Sequence, residues 1–269
     1  MINILELIEQ EQANGYSAAN ASAKICQDLV LRALASGPLN RNVTIKGGVV
    51  MRSKTGNVRR ATQDLDIDFI RYSLSEDSIE RFIQNLNCLP GIIFTQNGNI
   101  EELKQQEYHG KRVHVLISDS IGNEISSKID LGVHKRFEIE QEEYCFDIAL
   151  DDEGASLLVN SNEQMFSEKL RSLLKFGAVS TRYKDIFDIY YLISRLNIDK
   201  LAICFDSYIF NDLGMRETDM ESIVKRVKMT FKNKLYRRNL SSTNKKWLDE
   251  DISQILDNIV SFLASLKFA

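Results

Sequence analysis

The chain has 269 residues, of which 43% are hydrophobic and 27% charged, and its formal net charge is −4. This composition fits an ordinary soluble globule, either one large domain or two lobes, and no apolar run approaches the ~20 residues that a membrane span needs. The first ten residues lack the basic region of a signal peptide, and the four cysteines form no C-x-x-C pair. Widely separated thiols are typical of a reducing compartment, so we expect a cytoplasmic protein.

The N-terminal part is predicted to hold two helices, over residues 3–11 and 17–36, because apolar residues recur there at helical spacing. A short apolar strand at 43–45 then runs directly into Lys46-Gly47-Gly48, and a further helix is predicted to open at Val49. Glycines at a strand-to-helix junction let backbone N–H groups approach an anion. A tight turn with positive φ is the commoner use of such a pair, and both interpretations stay open.

Residues 60–69, R-A-T-Q-D-L-D-I-D-F, are the most informative stretch of the chain. Read as a strand, they place Asp64, Asp66 and Asp68 on one face and apolar residues on the other. Three carboxylates on one face are typical of a site for a hard divalent cation such as magnesium. The alternative is an acidic edge strand whose outward charges prevent pairing with other chains.

A helix at 75–87 and several strands follow the acidic stretch. Alternating apolar and polar residues predict these strands at 92–95, 112–118, 124–131 and 144–150. Asp130 ends the third of them and becomes another metal-binding carboxylate if that strand lies beside the Asp64 strand. An Asp at a strand end is more often a turn former.

From about residue 156 the pattern becomes helical, so we divide the chain into domains at 1–155 and 156–269. A helix over 182–196 carries Asp185 and Asp188 three residues apart, which places both on one face. Acids in the first turn of a helix also act simply as dipole partners, and Lys184 offers an ordinary salt bridge. Further helices are predicted over 164–176, 199–210, 217–239 and 246–266.

Residues 225–246 contain nine basic residues and no acidic one. Tyr236 and Trp247 are close in sequence and are predicted to stack on bases. A solvated helix face is the usual explanation of a charge run, but this density favours a surface for the phosphate backbone of RNA. The predicted RNA-binding residues are Lys225, Arg226, Lys228, Lys232, Arg237 and Arg238.

Five motifs in this order resemble one known family. They are K-G-G at 46–48, R-x-T-x-D-L-D at 60–66, I-D at 129–130, E-K-L at 168–170 and R-Y-K-D-I-F-D-I at 182–189. Together they look like the AbiEii/AbiGii nucleotidyltransferase toxins of the polymerase-β-like superfamily. The resemblance implies an α+β fold, in which a polymerase-β-like mixed sheet with flanking helices is followed by a C-terminal helical bundle.

The resemblance also implies roles for individual residues. Asp64, Asp66 and Asp130 match the metal-binding acids, although Asp68 is an extra acid that leaves the register of the pair open between 64/66 and 66/68. Lys169 matches a lysine that contacts the triphosphate, and Asp185 belongs with it in the catalytic set. The expected nucleotide site comprises the two glycines of the K-G-G motif and several polar residues of the five motifs: Lys46, Gly47, Gly48, Arg60, Thr62, Lys169, Arg182 and Asp188.

The expected activity follows from the same resemblance. The enzyme would use Mg²⁺ or Mn²⁺ and an NTP to add a nucleotide to an RNA acceptor such as the tRNA 3′ end, releasing pyrophosphate. It would act as the toxin of a phage-defence toxin–antitoxin pair, opposed by an antitoxin that is often a helix-turn-helix repressor. Two alternatives remain: transfer to a protein or small-molecule hydroxyl, and an inactive module that binds nucleotide or RNA.

Overall fold

The structure is a computed structural model that describes residues 2–103 and 110–268. These residues fall into two compact units. The sheet unit comprises the described residues of Met1–Phe137 and Gln141–Asn160, and the helical unit those of Glu138–Glu140 and Ser161–Ala269. Among the described residues, no helix is both long and apolar enough to cross a membrane.

The sheet unit is built on one mixed sheet. Its strands are β1 (Val43–Lys46), β2 (Leu65–Phe69), β3 (Ile92–Gln96), β4 (Glu101–Leu103), β5 (Gly110–Asp119), β6 (Glu124–Val133), β7 (Glu142–Phe146) and β8 (Ala155–Val159). They lie in the order β3-β5-β6-β2-β1-β8-β7, with β4 also paired to β5. The pairs β2–β6 and β1–β8 are parallel, and the other pairs are antiparallel.

Four helices accompany the sheet: α1 (Ile4–Ala13), α2 (Ala18–Ser36), α3 (Gly47–Thr55) and α4 (Glu76–Leu86). The first two and the fourth begin at side-chain caps, since Asn3, Ser17 and Ser75 each accept a hydrogen bond from a backbone N–H of the first turn. Helix α2 packs against β6 and β8. Its apolar stripe, including Ile25 and Leu29, is fully buried.

The helical unit contains six α-helices among its described residues: α5 (Asn162–Phe176), α6 (Tyr183–Ile193), α7 (Ile198–Phe205), α8 (Met220–Lys232), α9 (Lys234–Ser242) and α10 (Ile252–Ser265). Helix α5 packs against α6, α7 and α8, and α10 packs against α6 and α8. The predicted combination of a mixed sheet followed by C-terminal helices is confirmed.

Several element boundaries differ from those predicted. Residues 58–60 form a 3₁₀ turn, and the strand with the acidic residues begins only at Leu65, so Asp64 precedes it. Helix α3 begins at Gly47, two residues before the predicted start. The helical part begins at Asn162, since Ala155–Val159 forms an unpredicted strand.

Four further differences concern the last helices and two strands of the sheet unit. The helix predicted over 217–239 is divided at Asn233, whose extended backbone ends α8 and whose side chain accepts a hydrogen bond from Tyr236 N at 2.9 Å to begin α9. The last helix begins at Ile252 rather than at 246, and the predicted strand at 144–150 instead spans Glu142–Phe146. Strand β4 (Glu101–Leu103) was not predicted.

Candidate active site

The predicted acidic residues of the sheet unit meet on one face of two neighbouring strands. Strands β2 and β6 are parallel, and their register places Asp66 beside Asp130. Strand β1 flanks β2 on its other side and places Lys46 beside Asp66. Directly paired residues project to the same side of a sheet, so the three side chains share one surface.

Three of the four carboxylates on this surface are compensated by a basic side chain. The carboxylate of Asp130 accepts two hydrogen bonds from Arg112 on β5, at 2.7 and 2.8 Å. Lys128 Nζ lies 2.7 Å from Asp64 Oδ1, and Lys46 Nζ lies 2.7 Å from Asp68 Oδ1. Within the described residues, only Asp66 of this group makes no ion pair.

Asp66 therefore carries the least compensated charge of the site. Burial raises the pKa of its carboxyl group to about 6, the positive charge of Lys46 opposes the rise, and the neighbouring Asp130, Asp64 and Asp68 add to it. A carboxylate that is costly to ionise because it is buried and because like charges surround it is a typical feature of a functional site.

The Gly-Gly pair lies directly above this carboxylate, at the start of α3. Gly47 has a φ of +67°, and a Cβ atom there would lie 2.5 Å from Asp66 Oδ2. A Cβ atom on Gly48 would lie 2.5 Å from Thr62 Oγ1. Both glycines are thus needed for close approach, and the first also for its backbone conformation. They place the N-terminal end of α3, with its partial positive charge, next to Asp66.

Gln27 on α2 is a site residue that the sequence analysis missed. Its side chain is fully buried, and Nε2 donates to the carbonyl oxygens of Thr62 at 3.0 Å and Asp64 at 3.4 Å. Its Oε1 accepts a hydrogen bond from Arg52 of α3 at 2.5 Å. One amide thus fixes the segment leading into β2 against α3. A polar residue at a buried position of an apolar helix was the available signal.

The remaining predicted nucleotide contacts of the sheet unit lie on either side of this segment. Thr62 packs against Gly48, as described above, and is half-buried. Arg60 is only 3% exposed and belongs to the 3₁₀ turn before β2. Thr62 therefore lies next to the first residues of α3, whereas the Arg60 side chain is buried.

In the helical unit, Lys169 joins the two acids of α6. Its Nζ lies 2.8 Å from Asp185 Oδ1 and 2.8 Å from Asp188 Oδ2. Asp188 is fully buried and also accepts a hydrogen bond from Trp247 Nε1 at 3.1 Å. Arg182, in contrast, is exposed at the residue before α6.

The predicted stacking role of Tyr236 and Trp247 is wrong. Both side chains are 1% exposed. Tyr236 packs on Tyr183 and Phe231, and the Trp247 ring lies against Tyr191. Aromatic residues close in sequence to a basic run are more often core residues that anchor it, as they are here.

The basic residues of α8 and α9 have different surroundings. Arg226 is half-buried, and its Nε donates to the Leu174 carbonyl oxygen at 3.1 Å, at the C-terminal end of α5. Arg237 is exposed and donates to Ser253 Oγ at 2.8 Å. The others are exposed: Lys225, Lys228, Lys232 and Arg238.

The site's residues fit a divalent cation by their chemistry. Carboxylate oxygens are the donors that Mg²⁺ and Mn²⁺ prefer, and Asp66, which makes no ion pair among the described residues, lies near a second acid, Asp64. Asp130 is turned toward Arg112. In the part of the chain that the structure describes, no three acidic, histidine or cysteine side chains are arranged to hold a metal ion.

A comparison with protein families identifies the chain as a nucleotidyltransferase. The chain belongs to the AbiEii family: the model of "Nucleotidyl transferase AbiEii toxin, Type IV TA system" matches residues 29–264. This membership confirms the family suggested by the motifs, and it implies a nucleotide substrate and an antitoxin partner.

Comparison with solved structures gives remote similarities. An antigenic nucleotidyltransferase-like protein from Paracoccidioides brasiliensis is 16% identical, with a TM-score of 0.48 over 81% of this chain and 94% of its own. The antibiotic-resistance factor ANT(2″)-Ia is 15% identical, with a TM-score of 0.43 over 69% of this chain and 92% of its own. No curated protein sequence matches the chain.

Proposed function

We propose that the protein is a toxin that uses Mg²⁺ or Mn²⁺ to transfer a nucleoside monophosphate from an NTP to an RNA acceptor, such as the tRNA 3′ end. Its setting is a phage-defence system in the cytoplasm, with an antitoxin of the helix-turn-helix repressor type. The observation that carries the proposal is the pairing of Asp66 with Asp130 across β2 and β6, beneath a helix that begins with two glycines.

The reaction needs charge neutralisation more than covalent catalysis. The acceptor hydroxyl oxygen forms a bond to the α-phosphorus, the bond from that phosphorus to the bridging oxygen breaks, and pyrophosphate leaves with the electron pair. The proton of the hydroxyl passes to a carboxylate or to water. Divalent cations held by Asp64 and Asp66 would supply Lewis-acid stabilisation of the phosphate charge.

The remaining residues bind and orient the reactants in this proposal. The backbone N–H groups at Gly47 and Gly48 cradle phosphate oxygens at the start of α3. Asp130 takes the proton or completes the metal site, either of which requires at least one of its oxygens to leave Arg112. Lys169, oriented by Asp185 and Asp188, neutralises the leaving pyrophosphate.

A transfer assay tests the activity. Radiolabelled NTPs, each in turn, are incubated with the protein, Mg²⁺, and either total RNA or total cellular protein. We expect label on RNA with the wild type and with Glu80→Gln, a control that removes an exposed carboxylate of α4. Asp66→Asn should label nothing. Label on protein alone would show that the acceptor is a protein hydroxyl and not RNA. An active Asp66→Asn variant would refute the metal assignment.

The RNA surface is tested by a triple variant with a matched control. Neutralising Lys232, Arg237 and Arg238 to Gln should weaken RNA binding and reduce the salt slope by about 2, at roughly 0.7 per lost phosphate contact. The control neutralises three exposed bases of the helical unit outside residues 225–246: Lys200, Arg216 and Lys267. Equal effects of both triples would show that only total charge matters and would refute a surface at α8 and α9.

A further inference from the structure

The fourth acid of the active face, Asp68, is largely buried. It is 7% exposed, and the strand register places it between Thr44 of β1 and Gly132 of β6. Asp64 differs in this respect, because half of its side chain is exposed. A metal ion that arrives with a nucleotide needs ligands that it can reach. Asp64 meets this requirement better than the more buried Asp68.

Asp68 is compensated by one lysine. Its Oδ1 lies 2.7 Å from Lys46 Nζ, and the two side chains are 11% and 23% exposed. Lys46 is also the residue before Gly47 and the cross-strand partner of Asp66. The ion pair therefore fixes an ammonium group at the point where the glycine-led helix and the least compensated carboxylate meet.

Gly132 supplies the space for this ion pair. A Cβ atom there would lie 2.1 Å from Asp68 Oδ1 and 3.6 Å from Lys46 Nζ. Its φ lies outside the left-handed region, so backbone conformation does not require a glycine at this position. The missing side chain is needed for room, and the room is filled by the carboxylate that holds Lys46.

We infer that Asp68 is a positioning residue and not a metal ligand: it holds the Lys46 ammonium in place to bind the triphosphate of the NTP. The inference rests on the proposed function and resolves the register of the metal pair in favour of Asp64 and Asp66. Gly132 contributes by leaving room for the Asp68–Lys46 ion pair. A lysine held by a buried carboxylate loses less side-chain entropy when it binds a phosphate.

Two binding measurements separate positioning from metal ligation. Mn²⁺ binding is followed by electron paramagnetic resonance without nucleotide, and NTP binding by equilibrium dialysis in EDTA without metal. Asp68→Asn should keep its Mn²⁺ affinity within about twofold and bind NTP roughly tenfold more weakly, the effect of one lost charge-assisted contact. Asp66→Asn should lose Mn²⁺ binding. Equal loss of Mn²⁺ binding in both variants would overturn the inference.

A double-mutant cycle connects the effect to Lys46 and guards against misfolding. Lys46→Met should weaken NTP binding as much as Asp68→Asn, and the double variant no further, because both changes remove one device. The double variant also leaves no buried unpaired charge, so it stays folded if a single variant does not. Additive losses would overturn the inference.

Gly132→Ala gives a test that retains both charges. We expect it to reproduce the NTP effect of Asp68→Asn while leaving Mn²⁺ binding intact, because the added methyl displaces the carboxylate. Unchanged NTP binding in this variant would overturn the inference. A wild-type protein that binds neither Mn²⁺ nor NTP would instead refute the proposed function itself.

Discussion

Replacing Asp66 by Asn should stabilise the metal-free protein while abolishing its activity. The pKa of this carboxyl group is 3.8 in an unfolded chain and about 6 in the folded protein. Between these values the folded state binds the proton more tightly than the unfolded state does. Stability is therefore lost as the pH rises from below 4 to above 6, and an amide, which does not ionise, avoids this loss.

The magnitude follows from the size of the shift. About two pKa units correspond to about 3 kcal/mol when the group is fully ionised. Asp66 is only half-buried, and solvent screening at such a position reduces the effect to about 1–2 kcal/mol. We expect Asp66→Asn to unfold at a higher temperature than the wild type at pH 8, by roughly 2–6 °C, and at nearly the same temperature at pH 4.

The assay is thermal unfolding in EDTA at both pH values, followed by the same scan with Mn²⁺. Bound metal stabilises the folded state by mass action, so Mn²⁺ should raise the melting temperature of the wild type and not that of the variant. Glu80→Gln is again the control. An Asp66→Asn protein that is less stable than the wild type at pH 8 in EDTA would refute the electrostatic reasoning.

Three further substitutions test the packing around the two sites. Gln27→Met should lower the free energy of unfolding by about 1–3 kcal/mol, because Arg52 and the Thr62 carbonyl lose a buried hydrogen-bond partner. It should also weaken Mn²⁺ binding. Denaturant unfolding measures the first effect and Mn²⁺ titration the second. Gly48→Ala should lower the free energy of unfolding by about 1–3 kcal/mol, because the added methyl group is overpacked against Thr62. Adding Thr62→Gly to the same chain should restore part of the lost stability. Trp247→Phe should lower the free energy of unfolding by about 1–3 kcal/mol, since the Asp188 carboxylate loses its indole donor. Unchanged denaturant unfolding would show that this hydrogen bond contributes nothing.

The residues of the acidic face were predictable because strand periodicity determines which side chains share a side. The alternation in L-D-I-D-F places Asp66 and Asp68 together whichever strand lies beside them. Their partners were not predictable. The adjacency of Asp66 and Asp130 depends on β2 and β6 pairing in parallel across more than 50 residues of chain, and local propensity carries no information on that pairing.

Two of the three basic residues that compensate these acids were missed for the same reason. Arg112 and Lys128 read as ordinary charged residues of alternating strands, and only the register of β5 and β6 brings Arg112 to Asp130. The shared face of Asp185 and Asp188 was easier to predict, because residues three apart on a helix lie on one side, whereas Lys169 on α5 was assigned only through the family resemblance. Trp247 lies 59 residues beyond Asp188 and gave no sign that it would donate to it.

In both clusters the acidic side chains outnumber the basic ones by one. On the sheet face, three basic side chains accompany four acids, and in the helical unit one lysine accompanies two. Each cluster is therefore one positive charge short within the residues named, which is costly to maintain in a partly buried place. The deficit has a use if a cation completes the sheet site together with its substrate, because binding then relieves the repulsion between the acids. The melting experiments with Asp66→Asn measure the combined cost of burying this carboxylate and ionising it among like charges, since the same substitution that should remove that cost also removes the ligand.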